Sequence, residues 1–263
     1  MSTLHGRDAG PGDAGPGRRG ADTPLRRQLA GAAELATALA AGAPVRVVLL
    51  ARSASPAACA LAEQARAAGA RVLPASDNDL RRMARAGAPA GVELLALVGP
   101  DPAAGPEAAL AGDGAAWLLA GVAYAGNAGY AIRTAEVSGA DAIFLDAALD
   151  GEGRRRALRA SMHAERFFPV HWAPADEVVA AARAAGRRVI AIEDVGRRAP
   201  WEVDLRGRVL FVIGGERHGL DPALLARCDE VVRVPMAGFV PSYNLQAAMA
   251  AVAVERLRQL GIG

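Results

Sequence analysis

From residue 23 onward, apolar positions recur with alternating periods. Residues 25–39 place Leu25, Leu29, Ala32, Leu35 and Leu39 near helical spacing and predict a helix. Residues 45–50 form a short apolar run rich in β-branched side chains, which predicts a buried strand. Residues 55–68 read as a helix, with Ser55 as its cap, Pro56 at the first helical position and Gly69 after its end. A strand over 71–74, a short basic helix over 77–86 capped by Asp77 or Asn78, and a strand over 92–98 follow. Such alternation describes a small α/β domain over 23–100.

Residues 99–114 are dense in Gly, Pro and Ala, so 101–114 are expected to be a linker. A second alternating series occupies 115–263. Strands are expected over 116–122, 142–146, 169–172, 188–192, 209–213 and 230–234. Helices are expected over 128–138, 153–163, 175–185, 222–228 and 242–260. This pattern predicts an open parallel sheet with helices on both faces. The last helix is apolar nearly all round from residue 245 to 254, which implies burial in the core or in a subunit interface. Residues 1–22 hold Gly, Pro, Asp and Arg with almost nothing to bury, and read as a disordered tail.

Composition narrows this picture. Of the 263 residues, 52% are hydrophobic and 22% charged, enough to build a core. All thirty basic residues are arginine, so every cationic contact is a planar guanidinium suited to phosphate. A net charge of +2 does not announce nucleic-acid binding, so any basic footprint is local. Cys59 and Cys228 lie far apart, with no metal-ligand spacing and no disulfide framework. Neither a membrane-length apolar run nor a secretory leader pattern is present, and a cytoplasmic protein is expected.

Candidate chemistry sits in three polar clusters, each at the end of an expected strand, where open α/β sheets bind ligands. In the first, Gly126–Glu136, Asn127 is placed to cap a helix and Arg133 follows less than two turns later. The second, Val212–Leu220, sets Gly214 and Gly215 beside Glu216, with glycines that permit close backbone approach to a ligand. The third, Val234–Gln246, leads from Pro235 through a loop to Ser242 and Asn244. None of them is the G-x-G-x-x-G fingerprint of an ordinary dinucleotide site.

In this order, the clusters resemble the three motifs of the SpoU/TrmH family of RNA ribose methyltransferases, over roughly residues 115 to 260. The domain before them resembles, by pattern and position, a ribosomal-protein-L30-like RNA-binding domain. The resemblance implies a methyltransferase domain with a deep trefoil knot, bound S-adenosylmethionine and a homodimer with the last helix in its interface. It implies that structured RNA, ribosomal rather than transfer RNA, is methylated on a ribose 2′-hydroxyl. By position, Arg133 would hold the target phosphate and polarise the hydroxyl, from its own or the opposite protomer. Asn127 would order the site or simply cap its helix, Glu216 would orient Arg133 or Asn127, and Ser242 and Asn244 match the Ser-x-Asn pair. Ser242 also reads as a helix cap.

The cofactor would lie against Ile213, Gly214, Gly215, Val234, Pro235, Met236 and Leu245, of which Met236 and Leu245 read equally as core. Ser242-Tyr243-Asn244-Leu245-Gln246 departs from the common Ser-Leu-Asn form through the bulkier Tyr243 and Gln246. His163 stands where a glycine is common and reads as structural or RNA-facing. Two arginine groups are RNA contacts or solvated faces: Arg81, Arg82 and Arg85, and Arg154, Arg155, Arg156, Arg159 and Arg166. A transfer RNA methyltransferase, a non-catalytic knotted RNA-binding protein and a base methyltransferase on a similar fold remain as other readings.

Overall fold

The computed structural model describes residues 26–240 and 242–262, and the tail expected over 1–22 lies outside them. Two sheets organise the chain. The first has four strands, β1 (Arg27–Ala30), β2 (Val45–Ala51), β3 (Arg71–Ala75) and β4 (Leu94–Val98), in the order β1-β4-β2-β3. Strand β4 is antiparallel to both neighbours, whereas β2 and β3 are parallel. Helices α1 (Ala32–Ala40) and α2 (Pro56–Ala67) cover one face, packing Leu35, Ala58 and Ala62 against Leu29, Val48 and Leu94. The other face presents Val47, Leu49 and Leu95 to Leu80 and Met83 of α3 (Asp77–Met83) and to Phe167, which comes from the second half of the chain.

The helix expected over 25–39 is a strand followed by a shorter helix. Leu29 and Ala30 pair with Ala96 and Leu95 of β4 and are almost wholly buried, so tertiary pairing outweighs the helical spacing. Gly31, at φ +90°, makes the turn between the two elements. Helix α3 stops at Met83, and its cap is Ser76, whose hydroxyl accepts from the Asp79 amide at 3.1 Å. Neither Asp77 nor Asn78 caps it: Asp77 accepts from the Ser53 hydroxyl and Asn78 from Arg81.

The second sheet is wholly parallel. Its strands are β5 (Ala115–Val122), β6 (Ala142–Ala147), β7 (Val170–Trp172), β8 (Arg188–Ile192), β9 (Val209–Gly214) and β10 (Glu230–Val232), in the order β10-β8-β9-β5-β6-β7. Both faces are apolar because both are covered. On one face, α5 (Ala125–Val137), α6 (Gly151–Ala160) and α9 (Leu245–Gln259) pack over Trp117, Leu119 and Phe211. On the other, α4 (Pro106–Ala111), α7 (Ala175–Ala184) and α8 (Pro222–Leu225) cover Leu118, Phe144 and Leu210. Several of these elements are shorter than expected: β10 ends at Val232, α8 at Leu225 and α6 at Ala160.

The segment expected as a linker over 101–114 contains α4, which buries Ala109 and Leu110. The reason lies downstream. The buried guanidinium of Arg187 donates to the carbonyls of Ala109, Leu110, Gly112, Gly114 and Val209 and to Asp141 Oδ2 at 2.7 Å. Gly112 and Gly114 lie so close to the Asp141 carboxylate that a Cβ on either would approach it to 2.6 Å. The same corner receives Arg26, whose guanidinium donates to the carbonyls of Ala140 and Asp141 and stands 4.9 Å from the centre of the Phe168 ring.

Candidate active site

Helix α5 begins directly after β5, so Asn127 lies within its first turn and is not the cap; Tyr124 holds that position without a side-chain bond. This placement turns the Asn127 amide toward β9. Its Nδ2 donates to Glu216 Oε1 at 2.7 Å, while Glu216 Oε2 accepts from the Ala123 amide at 3.0 Å. A carboxylate accepting two such bonds fixes both the side chain and the loop that carries it. On the far side, Asn244 Nδ2 approaches Asn127 Oδ1 at 3.4 Å, and Asn244 Oδ1 accepts from the Gln246 amide at 3.0 Å. Asn244, not Ser242, therefore caps α9. The three sequence clusters are thus joined by one chain of polar contacts, Glu216 to Asn127 to Asn244.

Gly214 and Gly215 let two loops pass each other. A Cβ on Gly214 would come within 2.3 Å of the Gly219 carbonyl carbon, and one on Gly215 within 2.0 Å of the Gly121 oxygen. The close approach expected toward a ligand is first an approach to the chain's own backbone.

Around this knot of contacts lies a crevice of about 480 Å³ at the carboxyl ends of β5, β8, β9 and β10. Strands β6 and β7 continue to one side of β5, while β9, β8 and β10 lie on the other, so the crevice sits at a topological switch point. Asn127, Glu216, Ser242 and Asn244 line it, and so do Ile213, Gly214, Gly215, Val234, Met236 and Leu245. Pro235 is not among the lining residues; its carbonyl accepts from the Tyr243 hydroxyl at 3.2 Å, which brings the bulkier Tyr243 into the wall.

The sequence reading missed Glu193 and Asp194, which follow β8 directly and face the same crevice, as well as Tyr124 and Arg233. The end-of-strand rule, applied to 188–192, would have found the acidic pair. Glu193 Oε2 accepts from the Leu220 amide at 2.9 Å and holds the loop beyond Gly219. Arg217 stands 5.7 Å from the centre of the Tyr124 ring at the mouth.

Arg133 is not brought to this crevice. It is exposed on α5 and borders a second cavity, with Arg26, Arg82 and Glu136. Its neighbours on that outer face are Tyr130 and Val137, both more than half exposed. Glu216 consequently orients Asn127 and not the Arg133 of its own chain.

The remaining arginines divide. Arg85 pairs with Glu34 at 2.5 Å, and Arg155 and Arg159 both pair with Glu152. Arg81 donates to Asn78, and Arg154 lies 4.8 Å from the centre of the Trp172 ring. Arg82, Arg156 and Arg166 are exposed. Met162 and His163 both adopt left-handed backbone, at φ 60° and 58°, which explains why a glycine suits position 163. Each such residue costs on the order of 1–3 kcal/mol.

Residues 115–254 match the SpoU rRNA Methylase family. The chain is 32% identical over 149 residues to the 23S rRNA (guanosine-2′-O-)-methyltransferase RlmB of a Burkholderia species, covering 54% of the chain and 58% of that protein. It is 33% identical over 141 residues to the 23S rRNA (adenosine(1067)-2′-O)-methyltransferase of Streptomyces laurentii, covering 53% and 52%. The chain thus spans little more than half the length of these relatives. With RlmB of Ralstonia nicotianae the match is 30% over 209 residues, covering 75% and 81%. Among solved structures it resembles the SpoU methyltransferase AviRb of Streptomyces viridochromogenes, with TM-score 0.55, 25% identity and coverage of 89% and 90%. With the family match over more than half of its length, the chain belongs to the SpoU rRNA methylase family.

Proposed function

We propose that this chain transfers a methyl group from S-adenosylmethionine to a ribose 2′-hydroxyl of ribosomal RNA. The observation that carries the reading is the meeting of Asn127, Glu216 and Asn244, from three distant segments, beside the Gly214–Gly215 crossing in one crevice. The donor fits this crevice chemically. Glu193, Asp194 and Glu216 against Arg233 make an acidic wall that suits a sulfonium, while Ile213, Val234, Met236 and Leu245 offer the apolar surface that adenosine pockets use. When bound, S-adenosylmethionine supplies an already activated methyl group.

The chain's residues then have to orient and exclude. Glu216 fixes Asn127, Asn127 fixes the cap of α9, and the loops beyond β9 and β10 form the walls around the reacting groups. Holding an acceptor in line accounts for much of the acceleration, since effective molarities reach the order of 10⁵ M or more. Arg133, a planar guanidinium with donors only, holds the acceptor phosphate and polarises the hydroxyl. Because it lies outside its own crevice, it acts in that of a second copy, in a homodimer formed through α5 and α9. Tyr130 on α5 and Val254 on α9, each at least half exposed, are the apolar surface for that contact.

The same proposal includes a trefoil knot formed by the loops around the crevice, and residues 23–100 as an RNA-binding domain similar to L30. It also includes a cytoplasmic location, in keeping with the free Cys59 and Cys228. No helix among the described residues is long and apolar enough to cross a membrane.

The test is transfer of labelled methyl from S-adenosylmethionine to total RNA, with ribosomal and transfer fractions separated. Label in ribosomal RNA as an alkali-resistant dinucleotide is the expected result. Label in transfer RNA, or on a base, would overturn the substrate assignment; absent label with absent cofactor binding by calorimetry would overturn the enzyme itself.

A further inference from the structure

The second cavity, about 300 Å³, lies between the two sheets and serves none of the roles above except through Arg133. Its floor is the outer face of the first sheet, Val47, Leu49, Leu95 and Leu97. Val47, Leu49 and Leu95 are almost wholly buried beneath α3 and Phe167, whereas Leu97, Met83, Met162 and Phe167 around them are only half-buried. The facing wall is Arg133, Glu136 and Val137 of α5 together with residues 161–164.

Three features of this cavity point to one kind of occupant. The accessible part of the lining is apolar, with Leu97, the Phe167 ring and the pliable thioethers of Met83 and Met162. Arg26, Arg82 and Arg133 line it with one carboxylate, Glu136, and Arg26 is already committed to the carbonyls of Ala140 and Asp141, which leaves Arg82, beside Arg133, for an anion. Burial pushes the Glu136 carboxyl above its ordinary value despite Arg26 and Arg133, which weakens its competition for those cations. The rim is also strained, since Met162 and His163 hold left-handed backbone consecutively, and strain of this kind gathers at sites that clamp a ligand. An aromatic ring such as Phe167 and guanidinium planes are the groups that take a nucleobase by stacking, and a guanidinium takes its phosphate by charge-assisted bonds. Small-ligand pockets begin near about 300 Å³, the size for one nucleotide and not a duplex.

We infer that the cleft between the sheets is a binding site for one unpaired nucleotide of the RNA, with its base on the Leu97–Met162 side and its phosphate at Arg82. This rests on the reading of the chain as an RNA methyltransferase, and it extends that reading. With Arg133 on its wall, the site holds a nucleotide close to the acceptor, so the two sheets grip one RNA segment jointly.

The methionines report on it separately. Met83 and Met162 border this cleft, Met236 borders the crevice beyond β9, and Met249 is buried in the core. The experiment uses the full chain with 13C-methyl methionine, titrated with a mixed-sequence single-stranded RNA hexamer and, separately, with S-adenosylmethionine. The hexamer is expected to shift the Met83 and Met162 methyl signals saturably while Met249 stays in place. Arg82→Ala is expected to weaken that titration by about tenfold, the loss of one charge-assisted contact. Arg82 is exposed, so this variant keeps the fold, and an unmoved Met249 signal verifies it.

Unmoved Met83 and Met162 signals, or an unchanged titration in Arg82→Ala, would overturn the nucleotide site. The S-adenosylmethionine arm keeps the two claims apart: a Met236 shift without a hexamer response removes the cleft alone, whereas no Met236 shift removes the methyltransferase reading beneath it.

Discussion

Arg187 offers the sharpest test of what holds the second sheet to its preceding segment. Its side chain is fully buried and donates to five carbonyls and to Asp141, itself 8% exposed. Arg187→Met keeps much of the volume but leaves the Asp141 carboxylate buried beside a single remaining donor, the Gly114 amide at 2.9 Å. Removing one partner of a buried ion pair costs about 3–5 kcal/mol, because the other charge is left uncompensated. For a chain of this size that lowers the melting temperature by about 6–20 °C, at roughly 2–4 °C per kcal/mol. Differential scanning calorimetry measures this, with urea unfolding as the isothermal companion. Replacing both partners, Arg187→Met with Asp141→Asn, removes the stranded charge and is expected to be less destabilising than Arg187→Met alone. A loss under about 1 kcal/mol in the single variant, or a double variant that simply adds both losses, would refute the argument.

The other expectations concern the site and its surroundings. Arg133→Ala and Glu216→Gln should each abolish most methyl transfer while S-adenosylmethionine still binds Arg133→Ala in calorimetry. Mixing and exchanging the two variants should restore about one quarter of wild-type activity, since half the dimers are mixed and each has one intact site; no recovery would place Arg133 in its own chain's crevice. Gly215→Ala should destabilise by about 1–3 kcal/mol or more, because its Cβ would stand 2.0 Å from the Gly121 oxygen, and a melting curve identical to wild type would show that the crossing has room to relax. Burial lowers the pKa of His171, which rests 5.1 Å from the Phe144 ring. A depressed histidine keeps its neutral form in the fold, so its contribution is present above the unfolded value of 6.5 and is lost as pH falls below it. His171→Phe should therefore flatten the decline in melting temperature between pH 7 and pH 5, and an unchanged slope would remove His171 as its source.

The parallel sheet was legible in the sequence because its strands are buried on both faces, so each appears as a continuous apolar run bounded by turn residues. The site was legible for a related reason: Asn127 and Glu216 stand just after such runs end, and Asn244 opens the helix that follows the last of them. What local pattern could not convey was partnership. Residues 27–30 look helical until β4 supplies their backbone partners, and Asn127 looks like a cap until Glu216 accepts its amide from a loop some 90 residues on. The segment before β5 looks like a spacer because its stabilising group, Arg187, lies about 75 positions downstream. Arg133 carries the same lesson in another form, since a residue's position in a motif does not say which molecule's crevice it faces.

The strand order has a consequence for how the chain acquires its structure. Strand β5 sits at the centre of the second sheet, yet the neighbour on one side, β9, begins at Val209, and Ala115 pairs with that residue. Closing so long a loop before any contact rewards it makes such pairing slow. During synthesis the first sheet has all four strands within residues 27–98 and is free to assemble early. The apolar run of β5 must instead wait, unpaired on one side, until β9 some ninety residues later has left the ribosome, whereas β6 finds its second partner in β7. In that interval it is the strand most exposed to aggregation, and chaperone dependence should concentrate there.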